Sequence, residues 1–173
     1  MLHVESLTKL FAPQSGCQNV SLKCKKGEIH GILGRNGSGK TTLFRCLLGL
    51  IPYDEGVVRL VSSLPEIRQF GYLPEERSVI SDLRVYQMIE FFASLKQMSQ
   101  KEIRDERDFW LHKLECKHLM YKRLRECSKG NQQKVQLICS LIHRPDVLIL
   151  DEPLTGLDVS NVQLFKKVIS DYA

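Results

Sequence analysis

Eight consecutive residues, Gly34-Arg-Asn-Gly-Ser-Gly-Lys40-Thr41, follow the spacing G-x-x-x-x-G-K-T. That spacing suits one chemical group, a phosphate chain. Glycines let the backbone curl so that successive N–H groups point inward. A helix opening at Lys40-Thr41 adds the positive end of its dipole. Lys40 is long enough to reach β- and γ-phosphate oxygens as a mobile point charge. The Thr41 hydroxyl suits Mg²⁺, which keeps most of its waters and needs few protein ligands. A second chemical signal is the pair Asp151-Glu152, which follows the short apolar run Val147-Leu-Ile-Leu150. Alone, such a pair is a solvated acidic strand end. Beside a phosphate loop it gains a use, because phosphoryl chemistry needs an acidic metal partner and a group that orients water. Asp151 is then expected to hold Mg²⁺ through water, and Glu152 to act as general base or to position the attacking water.

These residues need elements to position them. Glu28-Ile-His-Gly-Ile-Leu33 is expected to be a buried strand running into the loop, and Thr42 to Leu48 a helix leaving it, stopped by Gly49. Strand, glycine-rich loop and helix are the setting that the motif requires. Val147–Leu150 follows the breaker Arg144-Pro145-Asp146 and reads as a buried parallel strand. Upstream, Leu2–Leu7 and Val20–Cys24 alternate and read as strands, with Phe11 in the turn region between them. Val57–Val61 and Phe70–Leu73 are further strand candidates.

Residues 81–127 change character: they are rich in charge and helix formers and contain no glycine. Ser99-Gln-Lys-Glu102 is a capping-box pattern, after which Ile103, Trp110, Leu111 and Leu114 fall on one helical face. The stretch reads as a helical insertion, either simply packed or acting as a lever toward a partner. Ser128-Lys-Gly-Asn131 opens a helix whose Val135, Ile138 and Ile142 share a face. Ser128 is a candidate N-cap. The same helix start, with Gly130, could instead offer N–H groups to an anion.

Composition narrows the function classes. A chain of 173 residues suggests one domain with one sizeable core. Hydrophobic content of 43% and charged content of 26% are ordinary globular values. No run of about 18 apolar residues exists to span a membrane, and the start of the chain has no leader pattern. The net charge of +5 is spread along the chain, so the basic clusters near Lys25 and Arg123 read as solvated surface, and no nucleic-acid partner is expected. Six cysteines form no C-x-x-C pair. They read as reduced thiols and not as a zinc or disulfide frame, with Cys46 and Cys139 on buried helix faces.

Taken together, these motifs resemble the nucleotide-binding subunit of an ABC transporter over essentially the whole chain. Gly34 to Thr42 matches the Walker A motif and Val147 to Glu152 the Walker B motif with its following glutamate. Cys127-Ser-Lys-Gly-Asn131 lies where that family has its signature sequence, agreeing at Ser128 and Gly130. Leu157-Asp158 matches the D-loop. Phe11 occupies the place of the aromatic that stacks on adenine. Gly71-Tyr-Leu-Pro-Glu75 resembles the Q-loop, with Glu75 in place of glutamine.

The resemblance implies an α/β fold: a P-loop NTPase core with an N-terminal antiparallel β subdomain and a helical insertion at about 81–143, all one domain over 1–173. It implies ATP and Mg²⁺ as ligands. Gly34, Asn36, Gly37, Ser38, Gly39, Lys40, Thr41 and Thr42 would cradle the nucleotide. Thr41, Asp151 and Glu75 would serve the metal, and Lys40 and Glu152 the chemistry. Ser128, Gly130 and Asp158 would act across a head-to-tail dimer with a second nucleotide-binding subunit. The whole would energise a membrane permease from the cytoplasmic, inner face of the membrane.

Past Asp151 the chain has no histidine, so the family's switch histidine and the strand that carries it are expected to be absent. Two other readings remain open at this point: a nucleotide-binding module deficient in hydrolysis, and a soluble ABC ATPase outside transport.

Overall fold

The computed structural model describes residues 1–13, 15–76 and 79–173, which fall into two compact units, one of residues 1–63 with Ala173 and one of residues 64–172.

In the first unit, strands β1 (Leu2–Ala12), β2 (Ser15–Cys24) and β3 (Glu55–Leu60) form an antiparallel sheet in the order β2-β1-β3. Alternation buries Leu2 and Val4, and then the phase slips so that Leu7 is the next buried residue. The cause is an irregularity in both ladders between Val4 and Thr8, where Ser6 takes a left-handed φ of 48°. An extra residue there turns every following side chain over. Helix α1 (Lys40–Leu47) lays Leu43, Cys46 and Leu47 into this unit's core. Gly49, at φ 67°, terminates it.

β1 is longer than its alternation suggested. It runs through Phe11 to Ala12 because Lys9, Leu10 and Ala12 continue to pair with Cys17, Gly16 and Ser15. Phe11 therefore sits in a strand and not in a turn, with 63% of its surface exposed.

A larger correction concerns residues 28–33. They form no strand, and the segment is largely exposed: Ile29 keeps 63% and Leu33 95% of its surface. A strand exists only within a ladder, and among the described residues none pairs with this segment.

In the second unit, the short helix α2 (Glu66–Gln69) leads into β4 (Phe70–Leu73). Helices α3 (Val85–Leu95), α4 (Gln100–Lys113) and α5 (Lys129–Leu141) follow, then β5 (Val147–Leu150) and α6 (Val159–Tyr172). β4 and β5 pair in parallel, Phe70 opposite Val147 and Leu73 opposite Leu150. Of β5 only Ile149 is fully buried, because its ladder here has a single neighbour.

Ser99 and Glu102 close a reciprocal capping box that starts α4. Ile103, Trp110 and Leu111 on that helix are buried, as is its C-cap Leu114. α5 is buried along its whole stretch from Gln133 to Leu141, the pattern of a helix inside a core and not on its rim. It approaches β4 so closely that a Cβ at Gly71 would lie 2.1 Å from the Ser140 carbonyl oxygen. On α6, Phe165 and Val168 are the buried pair, while Val162, Ile169 and Tyr172 are half-buried. No helix of the described residues is long and apolar enough to cross a membrane.

Candidate functional site

The first unit carries the glycine-rich loop. Its tight turn is closed by the Ser38 amide donating to the Arg35 carbonyl at 3.1 Å. Gly37 and Gly39 both need left-handed φ values, 81° and 90°, which side-chain-bearing residues adopt only with strain. At Gly39 space forbids a side chain as well: a Cβ would lie 2.0 Å from the Gly16 carbonyl oxygen in β2. The loop is thus set against the sheet at the point where α1 begins.

Gly39 is the N-cap of α1 and offers no side-chain acceptor, and the first turn of α1 contains no acidic residue. Helix starts usually receive one or the other. The end of this helix is therefore chemically suited to an external anion. Lys40 folds back over the loop, its ammonium donating to the carbonyls of Gly34 at 3.0 Å and Arg35 at 3.2 Å. Those bonds go to neutral acceptors. Phosphate oxygens would replace them with bonds in which donor and acceptor carry opposite charges. Phe11, at the far end of β1, has the Lys9 ammonium 5.6 Å from its ring centre.

The second unit gathers Glu75, Asp151 and Glu152 at neighbouring ends of parallel strands. Pairing extends one step beyond β5, the Asp151 amide donating to the Leu73 carbonyl at 2.9 Å. Asp151 retains only 2% of its surface. Glu152 takes a left-handed φ of 48°, which breaks strand alternation at the first residue after Asp151. Its carboxylate accepts from the Thr155 hydroxyl at 3.1 Å. Glu75 lies two residues past the end of β4 and is exposed.

Ser128 caps α5, its hydroxyl accepting from the Asn131 amide at 3.3 Å. Gly130 sits against the start of α6, where an added Cβ would lie 3.1 Å from Asn161 Nδ2. Asp158 caps α6: one carboxylate oxygen accepts from the Asn161 amide and the Ser160 hydroxyl, the other from the Asn161 side chain. These bonds, the Asn161 amide first, hold its carboxyl below the usual range. Gly130 and Asp158, far apart in sequence, thus share Asn161 as a neighbour.

One member of this arrangement was not apparent from the sequence. Gln133, buried on α5, donates to the Pro153 carbonyl at 2.7 Å and ties the helix behind Ser128 to the loop behind Glu152. Gln133 stands in the polar run Asn131-Gln-Gln-Lys134, and nothing in the sequence sets it apart from its neighbours.

Comparison with known proteins bears on the family and the fold. The family described as ABC transporter matches residues 17–155. An ABC transporter ATP-binding protein of Methanocaldococcus jannaschii is 45% identical over 168 residues, covering 97% of this chain and 62% of that protein. The lipopolysaccharide export system ATP-binding protein LptB of Haemophilus influenzae is 31% identical, covering 99% of this chain and 75% of its own length. The first relative is thus matched over less than two-thirds of its length. Among solved structures, an ATP-binding subunit of an ABC transporter superposes with a TM-score of 0.87 at 23% identity, over 99% of this chain and 74% of that one. At that identity the likeness concerns the fold.

Proposed function

The chain belongs to the ABC transporter family, and from that premise we propose that it is the nucleotide-binding part of an ATPase subunit that energises transport through a separate membrane permease. The observation that carries the reading is the uncapped start of α1. Gly39 leaves it without a side-chain acceptor, and Lys40 waits on neutral carbonyls beside it.

In this proposal Gly34, Asn36, Gly37, Ser38, Gly39 and Thr42 form the cradle for the phosphate chain of ATP, and Phe11 offers its exposed ring to adenine. Lys40 exchanges the Gly34 and Arg35 carbonyls for β- and γ-phosphate oxygens. The donor set suits Mg²⁺: the Thr41 hydroxyl and the carboxylates of Asp151 and Glu75 are hard oxygen ligands. When bound, Mg²⁺ supplies neutralisation of charge on the β- and γ-phosphates. Glu152 then orients water for attack on the γ-phosphorus and takes its proton, giving ADP and phosphate. Its left-handed turn and its bond to Thr155 support that role by fixing the carboxylate after Asp151.

Ser128 and Gly130 address the γ-phosphate held by a second nucleotide-binding subunit in a head-to-tail dimer. Asp158 acts at the same interface. Asn161, which neighbours both Gly130 and Asp158, supports treating those two as one structural group. Coupling to the permease places the subunit on the cytoplasmic face of the membrane.

Phosphate release from Mg²⁺-ATP tests the catalytic reading. Glu152→Gln removes the base while keeping the shape. Turnover should fall by about 10²-fold or more while ATP binding persists. Equal rates in the two proteins would remove Glu152 from this role.

A further inference from the structure

Immediately after β2 the chain makes a tight turn in which the Glu28 amide donates to the Lys25 carbonyl at 3.3 Å, and Gly27 takes a φ of 81°. The turn folds three metal-ligating side chains together: Cys24 at the end of β2, Glu28, and His30 two residues on. Their ligating atoms all lie within 4.8 Å of one another, the one such trio among the described residues. His30 Nε2 is 3.1 Å from Glu28 Oε2. The Cys24 thiol contacts the Lys25 and Glu28 carbonyls at 3.7 Å.

We propose that Cys24, Glu28 and His30 form a binding site for a thiophilic divalent cation of the Zn²⁺ type. A thiolate, an imidazole and a carboxylate are the donors of such a cation and not of Mg²⁺. Zinc bonds of about 2.0–2.3 Å place tetrahedral ligands roughly 3–4 Å apart. The imidazole and carboxylate already meet that spacing, and the thiol, within 4.8 Å of both, closes onto them with a shift of at most roughly one to two ångströms.

The carboxylate is also held from behind, since the Lys25 amide donates to Glu28 Oε2 at 2.8 Å. Such supporting bonds orient a metal ligand. Three protein ligands leave the fourth position to water. The site is separate from the phosphate loop, whose residues it does not use, and ligation would fix the chain four residues before Gly34. The spacing C-x-x-x-E-x-H is easily passed over because it contains neither a cysteine pair nor a histidine pair.

Co²⁺ and Zn²⁺ titrations of the whole chain test the proposal. Co²⁺ reports the thiolate through its near-ultraviolet sulfur charge-transfer band, and Zn²⁺ is measured by competition with a chromophoric chelator. One equivalent should bind and produce the band. Cys24→Ser should abolish the band, and Glu28→Gln and His30→Ala should each weaken binding at least 10-fold. His118→Ala, an exposed histidine elsewhere, should change nothing. Circular dichroism confirms that each variant is folded. Folded wild-type chain that binds no Zn²⁺, or a band that survives Cys24→Ser, would overturn the site and leave Glu28 and His30 as an ordinary surface ion pair.

Discussion

The amide of Asp151 donates to the carbonyl of Leu73 across 2.9 Å, so the parallel ladder of β4 and β5 continues one residue past the last residue of β5. The bond fixes the backbone from which the buried Asp151 carboxylate projects, while the left-handed turn at Glu152 sends the next carboxylate out of strand register. Because backbone atoms make the bond and asparagine keeps the side chain's shape, Asp151→Asn should preserve this step of the ladder. Its effect should fall on the metal. ATP affinity in Mg²⁺ should drop about 10-fold or more, the loss of a charge-assisted contact, while affinity in EDTA should hardly change. Calorimetric titration under both conditions separates the two cases, and an equal loss in both would argue for a structural defect.

Gly71 is required by packing alone. A methyl group there meets the Ser140 carbonyl oxygen at 2.1 Å and the Pro145 ring at 2.8 Å. The nearest obstacle is backbone, so α5 and β4 must separate to admit it. Gly71→Ala should lower stability by about 1–3 kcal/mol, measured as a shift of the urea midpoint. An unchanged midpoint would show that the helix and strand are not in the close contact described.

His143 gives the second unit a pH dependence. It keeps 4% of its surface, its Nε2 meets the Phe70 carbonyl at 2.9 Å, and its Nδ1 is buried without a partner. Burial, with smaller contributions from Lys96 and Arg68, pushes its pKa down to about 4 from a usual 6.5. Between those values the unfolded chain binds a proton that the folded chain refuses. Stability therefore falls as pH drops from about 6.5 toward 4 and is level above that window. His143→Gln should flatten the change between pH 7 and pH 5 in urea unfolding. A profile that stays equally steep would locate the dependence in other groups.

Ser128 offers a way to separate capping from phosphate recognition. Ser128→Ala removes the acceptor for the Asn131 amide and should lower stability by about 1 kcal/mol. Ser128→Asp restores an equally good cap but sets a carboxylate against the proposed phosphate. The Asp variant should unfold like wild type and yet fail to dimerise with ATP, as read by light scattering. ATP-driven dimerisation of the Asp variant would leave Ser128 as a cap only.

Much of this was legible in the sequence, for identifiable reasons. The loop at Gly34–Thr41, α1 and its end at Gly49, the capping box at Ser99 and the strands β4 and β5 all follow from local rules of spacing, capping and apolar runs. Residues 28–33 were not decided locally. Their apolar composition suits a strand, but strand formation depends on a neighbour supplied from elsewhere. The burial phase of β1 was hidden by the irregularity at Ser6, and the span of β1 through Phe11 by a ladder that only β2 defines. The contacts of Gln133 with Pro153 and of Gly130 with Asn161 join segments 20 or more residues apart, and no periodicity encodes them.

In the proposed function the loop at the start of α1 holds the phosphates of ATP. The most direct test is the affinity of the purified chain for Mg²⁺-ATP, compared with Lys40→Ala by titration calorimetry. Phosphate contact by Lys40 requires measurable binding by the wild-type chain and a loss of about 10- to 100-fold in the variant, the worth of a charge-assisted bond to phosphate. Equal affinity in the two proteins, or no binding by folded wild-type chain, would contradict it.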